Sequence, residues 1–100
     1  MVYYLQIHRT GGLIMIYVLF YNYVDVDSGE FITSVIGVFY EFEQAQKMMV
    51  DTIKKMRKDF ENYDTKEEEY VDGDMTWSIC EKEDYPSHHC DIIIEAHQIL

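Results

Sequence analysis

The residues best suited to chemistry are the cysteines and histidines near the C-terminus. All five of them have ligand types that zinc accepts, namely Cys80, His88, His89, Cys90 and His97. If the strands flanking Pro86 pair about a turn at that residue, Cys80 lies opposite residue 92 and shares a face with Cys90 at a diagonal. Structural zinc sites usually contain close ligand pairs such as C-x-x-C, which this sequence lacks, and diagonal neighbours lie far apart for a disulfide. We therefore predict no metal site and two free thiols.

Other chemistry-bearing residues show no catalytic arrangement. The serines have no nucleophile-elbow motif around them, and neither cysteine has a neighbour that would activate its thiolate. The acidic stretch from Asp25 to Glu30 lacks the glutamate that a calcium loop carries at its twelfth position, and it is typical of a hairpin turn. The sequence therefore predicts a protein that is not an enzyme and has no cofactor.

Charge is concentrated between residues 59 and 84. That segment holds eleven acidic and two basic residues, a net charge of −9 in a chain of net charge −11. A solvated loop has the same composition, but so dense a field also repels phosphates and attracts basic protein surfaces. Aromatic residues among the acids, such as Tyr63, Trp77 and Tyr85, suit stacking on arginines. The residues predicted to contact a partner are Asp64, Glu67, Glu68, Glu69, Tyr70, Asp72, Asp74, Glu81, Glu83 and Asp84.

Two strands precede the acidic segment. Residues 14–26 and 31–40 are rich in β-branched and aromatic side chains, and Asp27-Ser28-Gly29-Glu30 supplies turn chemistry, which predicts an antiparallel hairpin. Alternate residues face opposite sides of a sheet, so one side packs on a helix and the other is part-exposed. We expect the exposed side to be a homodimer or ligand face formed by Tyr17, Leu19, Tyr21 and Tyr23.

A helical period follows the hairpin. Apolar residues from Phe42 to Tyr63 recur at spacings of three and four, which predicts one long amphipathic helix. Residues 64–74 are predicted to be an acidic loop inserted after it, and residues 75–82 and 91–100 two further strands. The expected fold is α+β, with a four-stranded, mostly antiparallel sheet in ββαββ order and the helix packed on one face.

The first fourteen residues allow two interpretations. Residues 2–7 could form an extra strand that turns at Thr10-Gly11-Gly12. Alternatively, translation could begin at Met15, because codons for Gly11-Gly12 can encode a purine-rich ribosome-binding sequence at a suitable distance from that residue. In both cases residues 15–100 form a single domain.

Two stretches near the hairpin resemble a known family. Ile16-Tyr17-Val18-Leu19 and Val35-Ile36-Gly37-Val38-Phe39-Tyr40, followed by a helix opening at Glu43-Gln44-Ala45, are similar to a small bacterial and phage family of unknown function with Tyr-Val-Leu and Ile-Gly-Val-Tyr strands. Ile92-Ile93-Ile94-Glu95-Ala96-His97 resembles its closing strand. The resemblance implies the ββαββ fold and no particular activity, and the acidic insert departs from the family pattern.

These observations predict a class of function. The chain lacks a secretory leader and any apolar run near the ~20 residues of a membrane helix, which indicates a cytoplasmic protein with reduced thiols, in the host cell if phage-encoded. We expect an acidic inhibitor, such as a phage or mobile-element anti-defence protein, that blocks the basic nucleic-acid-binding surface of a host nuclease complex. An immunity protein against a nuclease toxin is an alternative, and another is a nucleotide-binding or other small-ligand module that uses the aromatic sheet face. No direct contact with nucleic acid or membrane is expected.

Overall fold

A computed structural model describes residues 9–10, 13–72 and 74–99. They form an α+β fold in which one helix lies against an antiparallel sheet. The elements are β1 (Arg9–Thr10), β2 (Leu13–Asp25), β3 (Glu30–Phe39), α1 (Phe42–Asp59), β4 (Thr65–Asp72), β5 (Asp74–Glu81) and β6 (His88–Ile99). The five long strands are ordered β3-β2-β6-β5-β4, and the two-residue β1 pairs with the start of β2. The predicted fold class is confirmed, although the described residues form five long strands instead of four.

The β2–β3 hairpin forms as its turn chemistry predicts. Oδ1 of Asp25 accepts hydrogen bonds from the amides of Asp27 and Ser28 at 3.1 and 3.3 Å, and Gly29 adopts a φ of +74° that favours glycine. Farther along β3, Ile36 is a β-bulge, because Leu19 pairs with Gly37 while Phe20 pairs with Val35. The hairpin thus places two long strands side by side under the helix.

Helix α1 packs through the predicted apolar seam. Ala45 and Met49 are buried against the sheet, and Ile53 and Met56 continue the contact. The helix ends at Asp59, four residues before the predicted end, because the chain turns at Phe60, whose amide still bonds the carbonyl of Met56. No helix in the described residues has the length and apolar composition needed to cross a membrane.

The acidic segment after the helix is a strand, so the predicted loop at residues 64–74 is wrong. Strand β4 pairs with β5 in continuous register from Thr65 opposite Glu81 to Asp72 opposite Asp74. Charged side chains are common on edge strands, where they discourage pairing with other chains. Charge density therefore misled the prediction, because an edge strand can be as polar as a loop.

The helix covers one face of the sheet and leaves the opposite face without a helix in the described residues. On the covered face, fully buried side chains from three neighbouring strands form the core, and each leucine or isoleucine among them contributes about 1.5–3 kcal/mol on burial. They are Leu19 of β2, Ile79 of β5, and Cys90, Ile92 and Ile94 of β6. The two faces of the sheet therefore have different environments, and the site residues divide between them.

The N-terminal predictions are only partly covered by the described residues. Residues 2–7 and the Gly11-Gly12 pair lie outside them, whereas Thr10 pairs with Leu13. Met15 lies within β2, opposite Gln98 of β6. The internal start at Met15 stays a prediction, and a chain that began there would lack the first two residues of β2.

Candidate functional site

The predicted partner-binding acids do not form one uniform exposed surface. Glu67 faces the helix side of β4, where Nη2 of Arg57 lies 2.7 Å from its Oε1 and Nε of Arg57 lies 3.0 Å from its Oε2. The indole Nε1 of Trp77 donates a further hydrogen bond to Oε1 of Glu67 at 3.1 Å. The bonds from Arg57, and then that from Trp77, lower the pKa of Glu67. Glu67 therefore links the last turn of α1 to the sheet, and its carboxylate is already hydrogen-bonded to Arg57 and Trp77.

Glu81 is also engaged within the protein, and the prediction that it contacts a partner is wrong. It is buried at the end of β5, and its Oε1 accepts hydrogen bonds from the backbone amide and Nδ1 of His88, at 2.9 and 2.7 Å. The side-chain bond lowers the pKa of Glu81 and raises that of His88. Nε2 of His88 lies 3.6 Å from Oδ2 of Asp25. This cluster joins the ends of β2, β5 and β6.

The other predicted acids lie in or just before the edge strand β4, at the start of β5 and in the turn after β5. Asp64 precedes β4, and its carbonyl accepts a bond from the amide of Lys82, so the turn after β5 lies beside the start of β4. Glu68 and Glu69 are exposed on opposite faces of β4, and Asp74 is half-buried at the start of β5. We name as the acidic edge the exposed residues Asp64, Glu68, Glu69, Glu83 and Asp84, with the exposed rings of Tyr70 and Tyr85.

The aromatic residues interleaved with the acids also differ in exposure. Tyr70 is 53% exposed and Tyr85 is 91% exposed, so both rings are accessible to a partner. Trp77 is buried beneath Arg57, whose guanidinium carbon lies 5.7 Å from the ring centroid. The expectation that Trp77 stacks on a partner's arginine is therefore wrong, because an arginine of the chain itself occupies that position.

The helix covers the predicted dimer face. Leu19 has no exposed surface, and Tyr17 packs edge-on against Phe42 of α1 with ring centroids 5.5 Å apart. Tyr21 and Tyr23 lie against the core and line a cavity near the end of α1. An exposed dimer face formed by these four residues is excluded, because the strand presents them to the helix. Ligand binding by Tyr21 and Tyr23 remains compatible with the structure.

The opposite face, which we name the open face, carries an exposed apolar patch that is not among the predicted site residues. Its most exposed members, Phe31, Val35 and Val38 of β3, are 74%, 61% and 57% exposed. They lie across from Val24, Phe20 and Val18 of β2. Large exposed apolar patches mark interaction surfaces. The alternation of Ile16, Val18 and Phe20 along β2 marks this apolar face in the sequence. The tyrosines on the other side of the strand are more aromatic, so that side was predicted to be the exposed one.

The cysteines and histidines do not assemble as predicted. Cys80 pairs with His89 and Cys90 with Ile79, so the two cysteines lie on opposite faces, and both are free thiols. The predicted register was wrong by three residues, because the β5–β6 connection is a wide turn and not a tight one at Pro86. His88 lies on the covered face, whereas His97 is exposed beside Glu95.

One group in the described residues brings three metal-ligating side chains together, with the candidate ligand atoms of Asp25, Asp27 and His88 within 4.8 Å of one another. Oδ1 of Asp25 already accepts two turn amides, and Nδ1 of His88 bonds Glu81. Burial raises the pKa of Asp25, but its bonds with Ser28 and the charge of His88 outweigh burial, so the net shift is downward. Charge pairing of the His88 imidazole with the carboxylates of Asp25 and Glu81 accounts for the closeness of these side chains without a metal ion.

No family model, curated protein or solved structure matches this chain. The resemblance to a bacterial and phage family stays a prediction from the sequence. The features that bear on function are therefore the acidic edge, the open face and the cavity.

Proposed function

We propose that this protein inhibits a partner by binding the partner's basic nucleic-acid-binding surface. The observation that carries the proposal is the acidic edge. Its exposed carboxylates and the ring of Tyr70 lie on or just before the edge strand β4, and the turn after β5, which bonds to the start of β4, adds Glu83, Asp84 and the exposed ring of Tyr85. Carboxylates at such an edge pair with lysine and arginine, and exposed aromatic rings stack on guanidinium groups. The particular role we propose is that of a phage or mobile-element anti-defence protein acting on a host nuclease complex.

The net charge of −11 supports a protein partner over nucleic acid. Charge of one sign steers oppositely charged proteins into encounter and repels phosphate backbones. A protein surface that binds nucleic acid carries the lysines and arginines that match these carboxylates. Occupation of that surface would exclude the nucleic acid by direct competition.

The open face provides the apolar contact that charge alone does not supply. Glu68 and Tyr70 lie on the same face as the apolar residues of β3. The pairings show this, because Tyr70 lies opposite Thr76, and the row continues across the sheet through Ile93 and Phe20 to Val35. Apolar cores contribute much of the affinity of an interface, while charged rims set encounter rate and specificity. We expect the partner to contact Phe31 and Val35 in addition to the acidic edge.

The experiment is capture of partners from host lysate at low salt, with a double-stranded oligonucleotide as competitor. The test variant Glu68→Lys/Glu69→Lys reverses two acids and leaves the bond of Glu67 to Arg57 intact. The control Glu43→Lys/Asp51→Lys makes the same change in net charge on the exposed surface of α1. We expect the unmodified protein to capture a nucleic-acid-binding protein and the oligonucleotide to abolish that capture. The test variant should also fail to capture it, whereas the control variant should capture it normally.

Two results would contradict the proposal. One is a captured partner that stays bound in the presence of saturating oligonucleotide. The other is equal loss of capture in the test and control variants, which would mean that net charge matters and the acidic edge does not.

A further inference from the structure

A cavity of about 360 Å³ lies between the end of α1 and the covered face of the sheet. This volume is at the lower end of the roughly 300–1,000 Å³ typical of ligand pockets. Its aromatic walls are Tyr21, Tyr23, Phe60 and Tyr63, and its titratable groups include Asp59 and His88. Tyr63 is 43% exposed and packs with its ring centroid 5.1 Å from that of His88 and 6.2 Å from that of Phe60. The cavity thus has an aromatic lining.

Three sources of negative charge surround this cavity. Asp59 lines the cavity, and the C-terminal end of α1 at the same place carries the negative end of the helix dipole, although the last turn also contains Arg57 and Lys58. The positive charge of His88 is outweighed by Glu81 and Asp25, which contact its two ring nitrogens. Burial, and then the charges of Asp25 and Glu30, raise the pKa of Tyr23. The electrostatic environment therefore favours a cation and disfavours a phosphate.

We propose that this cavity binds the guanidinium group of an arginine side chain. Aromatic faces attract cations, most strongly where water is excluded, and guanidinium is flat enough to stack between rings. The Asp59 carboxylate forms no side-chain hydrogen bond or salt bridge with the residues that the structure describes, so it can accept the N–H donors of the ligand. For the source of the arginine the inference rests on the proposed function, since a basic partner would present it, but the chemistry of the cavity does not depend on that function.

The test uses two capped amino acids, N-acetyl-arginine methylamide and its neutral isostere N-acetyl-citrulline methylamide. Each is titrated into the protein, and binding is followed by NMR of the Tyr and Phe ring resonances. We expect the arginine compound to shift the rings of Tyr23 and Tyr63 and to bind at least tenfold more tightly than the citrulline compound. Equal binding of the two, or shifts confined to other rings, would overturn the proposal.

Matched variants locate the interaction. Asp59→Asn and Tyr63→Leu should each weaken arginine binding about three- to thirtyfold, the range that a cation–π or charge-assisted contact supports. Tyr63→Phe keeps the aromatic face and should retain binding within about twofold, as should the control Asp51→Asn on the same helix. Loss of binding in Asp51→Asn equal to that in Asp59→Asn would show a general charge effect and would refute the site.

Two further measurements test whether the cation is an arginine side chain of a partner, and whether the cavity and the acidic edge act independently. Free arginine should bind no more tightly than the capped compound, and tighter binding of the free amino acid would overturn a side-chain source. Capture of the partner by the Tyr63→Leu variant should fall if the cavity holds the partner's arginine. If the capped arginine binds and the Glu68→Lys/Glu69→Lys variant still captures partners, the cavity is supported while the acidic edge fails.

Discussion

The two faces of this sheet carry comparable apolar side chains in different environments. On the covered face, Leu19, Ile92 and Ile94 are at most 2% exposed beneath α1. On the open face, Phe31 and Val35 of the same sheet are 74% and 61% exposed. The comparison shows that the apolar pattern of a strand identifies neither its buried side nor its role. Where the helix packs decides which side chains stabilise the fold and which are accessible to a partner.

The acidic residues of β4 and β5 show the same division. Glu67 and Glu81 are held by Arg57 and His88, whereas Glu68 and Glu69 are exposed. Acids of the first kind contribute to the structure, and those of the second kind are accessible to a basic partner. Neighbours in the sequence therefore have different environments, and substitutions can test them separately.

The largest expected contrast between the faces is the reactivity of the two cysteines. Cys90 has no exposed surface, and burial raises its pKa to about 12, whereas Cys80 is half-buried on the open face. Because the thiolate is the reactive form, we expect Cys90 to react with Ellman's reagent at least about a hundredfold more slowly than Cys80. The Cys80→Ser and Cys90→Ser variants assign the two phases. Two equally fast phases in the folded protein would contradict the assignment of faces.

The next contrast is the cost of removing apolar side chains. Ile92→Ala removes a core side chain and should lower the free energy of unfolding by about 2–5 kcal/mol. Val38→Ala on the open face should change it by no more than about 0.5 kcal/mol. Urea denaturation of both variants measures the difference, and equal losses would indicate that the open face is also packed in the native state.

A smaller contrast is the pH dependence supplied by Glu81 and His88. The pKa of Glu81 is lowered from 4.5, so its contribution is complete above pH 4.5 and is lost as pH falls through the lowered value. The pKa of His88 is raised from 6.5, so its contribution is complete below pH 6.5 and is lost as pH rises through the raised value. Stability should therefore be greatest between about pH 4.5 and 6.5.

Substitution tests that assignment. Glu81→Gln should reduce the change in stability on both sides of the maximum, because it removes the hydrogen-bonded carboxylate that shifts the pKa of His88. Glu83→Gln, an exposed acid two residues away, is the control and should leave the profile unchanged. Thermal unfolding from pH 3 to 9 measures the profiles, and superimposable curves for Glu81→Gln and the unmodified protein would contradict the role of this pair.

The sequence was sufficient to predict the hairpin and the helix, because a turn rich in Asp and Gly and a regular apolar seam are local signals. It was insufficient for β4, because the pairing of that strand with β5 is a tertiary feature and its composition is that of a loop. The choice of covered face failed for a similar reason, since both sides of β2 are apolar and only the position of α1 distinguishes them. The cavity escaped prediction because Asp59, Tyr63 and His88 meet only after folding.

The central claim is that the acidic edge guides association with a basic partner. The most direct test is the association rate with the captured partner, measured between 0.1 and 1 M salt for the unmodified protein and the Glu68→Lys/Glu69→Lys variant. Because the Debye length falls from about 10 Å to about 3 Å over this range, we expect the rate of the unmodified protein to fall steeply and the dissociation rate to change less. The variant should associate slowly at all salt concentrations. An association rate that is independent of salt and the same in both proteins would contradict the claim.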